Sequence, residues 1–228
     1  MSPGSLYVIA TPIGNLEDIT LRALRILREE IDIVLCEDTR QTSKLLRHYD
    51  INLPAYAIHA HTTAARIERA VQEMNAGKNA AYMTDSGTPG VSDPGAVLVG
   101  AARKENIPII PLPGPSALST LISISGFPGK EIIFAGFLSK KEGKRKKELL
   151  KYKELNGIIV VYESPHRIDK LLTAINDIYP HAELLVGREL TKMYEETISG
   201  RAADILENID SITKKGEFAI AINNRNDN

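Results

Sequence analysis

Residues 85–95, Asp-Ser-Gly-Thr-Pro-Gly-Val-Ser-Asp-Pro-Gly, place three glycines and two prolines between a short apolar run and a helical pattern. Glycine lets a backbone approach a ligand closely and proline removes slack, so the composition is that of a rigid binding loop. A plain strand-to-helix join usually takes about two to six residues, whereas this one is longer and carries two aspartates. A Walker loop requires Gly-Lys-Ser/Thr and a dinucleotide site requires GxGxxG; neither spacing occurs here, which disfavours nucleoside triphosphates and dinucleotides. A cofactor without phosphates is held by backbone amides and carbonyls, small side chains and a carboxylate. This loop offers all of them, and the Pro113-Gly114-Pro115-Ser116-Ala117 segment adds to them. The chemistry legible at this point is that of an adenosyl-type or similar small ligand.

Other chemistry-bearing residues also follow short apolar runs: Thr-Pro-Ile-Gly-Asn at 11–15 and Glu-Asp-Thr-Arg at 37–40. Asp38 and Arg40 read either as ligand contacts or as a mutual salt bridge that shapes the loop. Lys140, Lys141, Lys144, Arg145, Lys146 and Lys147 surround a single acid, Glu142, and make the densest positive region of the chain. Such a run either holds phosphates or is the solvated face of an amphipathic helix. His59 and His61 have a spacing found at metal sites but no third ligand nearby, so a strand-end surface pair is expected and no metal is assigned. His166 reads as a helix-start residue, and Cys36, within an apolar run, as a small buried hydrophobe.

The elements that must position these residues alternate along the whole chain. Strands are expected over 6–10, 31–36, 55–60, 80–84 and 107–111, with helices over 19–30, 42–49, 64–76 and 96–106 between them. That completes one open α/β domain, and the break at 113–115 places the boundary between domains at 1–112 and 113–228. A helix starting at Pro115 or Ser116 opens the second half. Strands follow over 131–136, 158–162, 182–186, 196–199 (short) and 217–222, with helices over 144–155, 167–178 and 202–209. The alternation predicts crossover helices and largely parallel sheets, in which ligands bind beyond the carboxyl ends of the strands.

The composition is that of an ordinary folded protein: 228 residues, 43% hydrophobic and 25% charged. A net charge of −1 excludes a uniformly basic nucleic-acid-binding surface, so any RNA contact must be local. No leader or membrane span is read, and a cytoplasmic protein is expected.

The motifs ATPIGNLEDIT, EDTR, TDSGTPGVSDPG, PLPGPSA, GFLSKKEGKRKKEL, YESPHR, GRELTK and GEFAIAI, in this order between residues 6 and 222, resemble the tetrapyrrole methylase superfamily, in its branch that modifies ribosomal RNA. The resemblance implies two α/β domains, each with a mostly parallel or mixed sheet, and S-adenosylmethionine in the cleft between them. It implies 2′-O-methylation of a cytidine ribose in 16S ribosomal RNA, with the RNA or the small ribosomal subunit as partner, and a homodimer. Carried over by motif, the cofactor contacts are Pro12 and Ile13, then Asp85, Gly87, Thr88 and Val91, then Ser116 and Ala117; from the second domain come Tyr162, Arg188, Glu189 and Phe218. The family usually has Ser-Asp-Ala where this chain has Thr84-Asp85-Ser86, and proline at the position of Ser139; many relatives also continue beyond the last strand into a helical segment.

A ribose hydroxyl is a weak nucleophile, so some group should accept or relay its proton, commonly a lysine of lowered pKa or a carboxylate. Lys192, Asp38, Glu163 and Asp85 stand in or beside strand-end motifs and are the candidates, although Lys192 is equally readable as an ion-pair partner of Glu189 or Glu195. RNA contacts are expected at residues 140–147, with Arg40 and Lys44 as the alternative surface. Two rival functions remain at this stage: a small-molecule, tetrapyrrole-type methyltransferase, and a non-catalytic RNA-binding assembly factor that keeps the cofactor pocket.

Overall fold

The computed structural model describes residues 2–58, 64–209 and 212–224. The chain divides into two compact units, residues 1–116 and 117–228, four residues beyond the break expected at 112/113. The difference has a local cause. A Cβ on Gly114 would sit 3.0 Å from that of Ala10, and the Pro115 carbonyl accepts from Thr88 Oγ1 at 3.0 Å, so residues 113–116 pack with the first unit.

The first unit runs β1 (Leu6–Ile9), α1 (Leu21–Glu29), β2 (Ile33–Cys36), α2 (Thr39–His48), β3 (Ala55–Ala57), α3 (Ala64–Asn75), β4 (Ala80–Met83), α4 (Gly95–Lys104) and β5 (Ile109–Leu112). Its sheet has the order β3-β2-β4-β1-β5 and every pairing is parallel. Every residue of β2 and β4 is buried, as expected for strands covered on both faces. One face packs Tyr7, Ile9, Val34, Cys36, Ala81 and Met83 under α1 and α2; the other packs Leu6, Ile33, Leu35 and Tyr82 under α3 and α4. Helix α2 starts at Thr39, not at residue 42 as expected, because the Asp38 side chain accepts from the Arg40 N–H and caps it there. Of the strand expected over 55–60, β3 covers Ala55–Ala57; its end, with His59 and His61, lies outside the described residues.

The second unit runs α5 (Ala117–Ser125), β6 (Ile132–Phe137), α6 (Glu142–Lys153), β7 (Gly157–Glu163), α7 (Ile168–Ile178), β8 (Glu183–Arg188), β9 (Glu196–Arg201), α8 (Ala202–Glu207) and β10 (Phe218–Asn224). Its sheet order is β6-β7-β10-β8-β9. Only β6 and β7 are parallel; β10 lies antiparallel between β7 and β8, and β9 returns antiparallel beside β8. The largely parallel reading is therefore corrected for this unit. An antiparallel neighbour needs no crossover helix, and β8 and β9 are joined by a short loop instead. The helices α6, α7 and α8 cover one face through Leu149, Ile168, Leu172, Ile175 and Ile205, packed on Ile159, Val161, Val186, Ile220 and Ile222. Among the described residues no helix is long and apolar enough to cross a membrane.

Candidate functional site

Four loops of the first unit meet at the carboxyl ends of β1, β2, β4 and β5, and hydrogen bonds tie them to one another. Thr11 and Gly87 exchange both backbone hydrogen bonds at 3.0 Å, joining the β1 and β4 loops. Thr11 Oγ1 donates to the Thr84 carbonyl at 3.1 Å and Thr84 Oγ1 to the Gly87 carbonyl at 2.9 Å; both threonines are buried. The Asp38 N–H donates to Asp85 Oδ1 at 2.9 Å, linking the β2 loop to the β4 loop. Thr88 Oγ1 bonds the Pro115 carbonyl and so links the β4 loop to the segment after β5. Gly87, at φ +85°, turns the chain in a conformation other residues adopt with strain, and a side chain there would press on Ile13.

The rest of the β4 loop is wound around Asp93. Its Oδ2 accepts from the N–H groups of Gly90 and Val91, and its Oδ1 from Gly95 N–H at 2.8 Å and the Tyr82 hydroxyl at 3.1 Å. Tyr82 is fully buried; burial, then the Asp93 charge and hydrogen bond, push its pKa well above the ordinary tyrosine value. Gly95 is dictated by close approach, since a Cβ would stand 2.2 Å from Tyr82 Cε1. Glycine-rich backbone at Gly90, the partly buried Val91, and Asp85 are thereby presented on a fixed frame, with Pro12 and Ile13 buried beside Thr11. Apolar surface, unhindered backbone and a carboxylate are the donor set that a zwitterionic adenosyl sulfonium needs, so the residues fit S-adenosylmethionine; Ser116 is partly buried at the edge of this frame.

Asp38 is fully engaged. Beyond capping α2, both of its oxygens accept from the Arg40 guanidinium, at 2.6–3.1 Å, while the Arg40 side chain stays 86% exposed. The salt-bridge arrangement is the one found. Lys44, on the next turn of α2, reaches Gln41 Oε1 at 3.3 Å.

In the second unit, register gathers the remaining candidates at one end of the sheet. Phe218 is the Cα partner of Glu163 on β7 and of Arg188 on β8; Arg188 in turn faces Glu196, and Phe137 at the end of β6 faces Tyr162. Because β10 runs antiparallel, its first residue meets the carboxyl ends of β7 and β8. Tyr162 sits edge-on to Phe134, 4.9 Å between ring centroids, and burial raises its pKa despite a backbone hydrogen bond at Leu118. Phe218 is buried. Ala117 opens α5 in this unit and is partly buried.

The charged candidates here are paired with one another. Glu163, whose side chain is fully buried, accepts from Arg167 Nε at 2.6 Å and from the Ser164 N–H at 2.7 Å. Arg188 donates to Glu196 Oε2 at 2.8 Å and to the Tyr194 carbonyl at 2.9 Å, so its guanidinium braces the loop joining β8 to β9. Lys192 Nζ lies between Glu189 Oε1 at 2.7 Å and Glu217 Oε2 at 3.0 Å. Burial alone lowers the Lys192 pKa, but the hydrogen bonds and charges of Glu189 and Glu217 outweigh it and the net shift is upward. This corrects the expected lysine of lowered pKa. Lys192 is therefore a charged hydrogen-bond donor at neutral pH.

The basic segment is not one uniform face. Lys140, Lys141, Lys144 and Lys147 are exposed, whereas Lys146 bridges Glu142 at 3.2 Å and Asp177 at 2.8 Å. Arg145 is 2% exposed, with Nε and Nη1 lacking a partner among the described residues. A surface phosphate contact through Arg145 does not fit this placement; its side chain packs inward with Leu149, one turn on. The sequence placed Thr11 in a candidate loop without a role of its own and did not single out Thr84, Tyr82 or Arg167. Only the four-residue spacing of Glu163 and Arg167 hinted at the last.

A family model described as tetrapyrrole (corrin/porphyrin) methylases matches residues 5–206. The chain belongs to this family. It is 42% identical over 222 residues to the ribosomal RNA small subunit methyltransferase I of Leptospira biflexa, covering 97% of this chain and 92% of that protein. To the protein of the same name from Thermotoga maritima it is 39% identical over 223 residues, covering 97% and 99%. Among solved structures it is similar to uroporphyrin-III C-methyltransferase from Thermus thermophilus complexed with S-adenosyl homocysteine, with a TM-score of 0.64, 16% identity, and 96% and 97% of the two chains covered. That likeness shows a shared fold.

Proposed function

We propose that this protein is an S-adenosylmethionine-dependent methyltransferase that 2′-O-methylates the ribose of a cytidine in 16S ribosomal RNA, in the cytoplasm where that RNA is found. The observation that carries the reading is the near full-length likeness to proteins named ribosomal RNA small subunit methyltransferase I. The cofactor, when bound, supplies a methyl group on a positively charged sulfur that is already a good leaving group. The protein's task is then mainly to position the nucleophile. Pro12, Ile13, Asp85, Gly87, Thr88, Val91, Ser116 and Ala117 are the proposed cofactor contacts, joined by Tyr162, Arg188, Glu189 and Phe218, with Arg188 and Glu189 acting through the loop they hold.

Among Lys192, Asp38 and Glu163, the substrate-facing role falls to Lys192, which as an ammonium donates to the ribose or its phosphate, while the hydroxyl proton leaves to the carboxylate of Glu189 or Glu217 beside it. Asp38 and Glu163, each already bound to an arginine, are positioning residues. Lys140, Lys141, Lys144 and Lys147, with Arg40 and Lys44, are the proposed phosphate contacts. A homodimer belongs to the proposal on the family resemblance and is read out by sedimentation.

The test is methyl transfer from labelled S-adenosylmethionine to small ribosomal subunits from a strain lacking the protein, followed by mapping of the modified sugar. Label on one cytidine ribose is expected. Normal cofactor binding with no label in any ribosomal RNA would overturn the enzymatic reading. Val91→Asp, which sets a carboxylate against the cofactor, is expected to abolish cofactor binding in calorimetry while the protein stays folded.

A further inference from the structure

A groove of about 400 Å³ opens at the β3 edge of the first sheet, beneath α3. Ile33, Leu35 and Ala70 form its apolar floor, and Tyr56, 53% exposed, stands on the same face of the sheet with its ring available. Arg66 and Arg69, three residues apart on one face of α3, line the same groove and are exposed. Neither has a hydrogen bond or ion pair among the described residues, and the nearby acid, Glu73, is already bound to Lys78. The groove is therefore net positive. As the outermost strand among the described residues, β3 also leaves one row of backbone donors and acceptors without a strand partner there.

We propose that this groove binds a nucleotide of single-stranded RNA, its base stacked on Tyr56 and its phosphates held by Arg66 and Arg69. The inference rests on the reading that the chain acts on RNA and extends it to a second site. Single-stranded RNA is recognised by aromatic stacking combined with cationic contacts to the backbone, and arginine suits both phosphate and base plane. An apolar floor beside an exposed aromatic ring accepts a flat base of any identity. Two guanidinium groups without a partner among the described residues match a polyanion better than they match a neutral protein surface. Ala57 at the groove is the Cα partner of Cys36, which Glu37 to Arg40 follow.

The test uses the full-length protein with a fluorescent single-stranded RNA oligonucleotide and with small ribosomal subunits. Tyr56→Ala is expected to weaken oligonucleotide binding roughly tenfold, the low end of the loss for one stacked base, and Tyr56→Phe to keep it. Arg66→Gln with Arg69→Gln should lower the slope of log affinity against log salt by about 1.4, at roughly 0.7 per phosphate contact on a single strand. All three positions are exposed, so unaltered melting temperatures are expected. If the wild type methylates subunits and these variants match it in RNA affinity and salt slope, the groove proposal falls while the proposed function stands. If the wild type binds RNA without methylating it and the variants still weaken binding, the proposed function falls and the groove stands. Unaltered RNA binding together with a changed sedimentation coefficient would make the groove a self-association surface and overturn the proposal.

Discussion

The two units hold their strand ends in different ways. In the first, backbone groups, three threonine hydroxyls and the Asp85 carboxylate tie four loops together, and Asp93 anchors the β4 loop within that frame, with tight steric limits at Gly95. In the second, the same end of the sheet is held by charge pairs: Glu163 with Arg167, Arg188 with Glu196, and Lys192 between Glu189 and Glu217. The first frame is complete before any ligand arrives, as a small cofactor's pocket should be. The second is held by charged side chains paired with one another across its strand ends. Preorganisation is thus a matter of packing in one unit and of electrostatics in the other.

The largest expected effect breaks the electrostatic half. Arg167→Ala leaves the fully buried Glu163 carboxylate without its cation, and breaking such a pair costs about 3–5 kcal/mol, to be read as a lower urea midpoint. Adding Glu163→Gln to that variant should recover much of the loss, since the uncompensated charge is then gone. A single variant as stable as the wild type would mean that this pair contributes nothing. The packing half is probed by Gly95→Ala, whose methyl group must displace the Tyr82 ring or Asp93. A loss of about 1–3 kcal/mol is expected from overpacking, with weaker cofactor binding in calorimetry because the Gly90 and Val91 amides lose their anchor.

The Lys192 cluster gives a smaller effect with a defined sign. Burial alone would raise the Glu189 pKa, but the Lys192 hydrogen bond, the Glu217 N–H and the charges of Lys192 and Arg188 hold it below the usual value. Its stabilisation is therefore present above about pH 4.3, the unfolded glutamate value, and is lost as pH falls through the lower folded pKa. For Lys192, whose pKa is raised, stabilisation is present below about pH 10.4 and is lost as pH rises through the higher folded value. Lys192→Met should lower stability at neutral pH by no more than about 1 kcal/mol, remove the alkaline dependence and weaken the acidic one, as pH-resolved thermal melts would record. The smallest effect on stability is expected from Lys141, Lys144 and Lys147 changed together to glutamine, within about 0.5 kcal/mol of the wild type. Their phosphate contacts should appear instead as a salt slope lower by about 2 for small-subunit RNA.

Much of this architecture was legible because crossover α/β chains write each element locally: a short β-rich run, a loop, an amphipathic stretch. The parallel first sheet follows from that alternation alone. The second sheet did not, since whether β10 enters between β7 and β8 depends on pairings far apart in sequence. The glycine-rich loop was legible from composition, whereas the role of Asp93 as its hub needed Tyr82 and three backbone N–H groups in space. Arg145 misled for a plain reason. A run of basic residues reads as a solvated face, yet a helix must bury one side, and residue 145 shares that side with Leu149. The groove at β3 was invisible because Tyr56 and the two arginines belong to different elements.

The position of β10 bears on how the molecule is made. During synthesis the first unit has all five of its strands once residue 112 has appeared and can condense while the remainder is still being translated. The second cannot, because β10, Phe218–Asn224, is the middle strand of its sheet and the last to be produced. Until it arrives, β7 and β8 present apolar edges with no neighbour, and closing the sheet means joining strands more than fifty residues apart in sequence at β7. The second unit is thus the slower and more aggregation-exposed half of the nascent chain, and chaperone dependence should concentrate there.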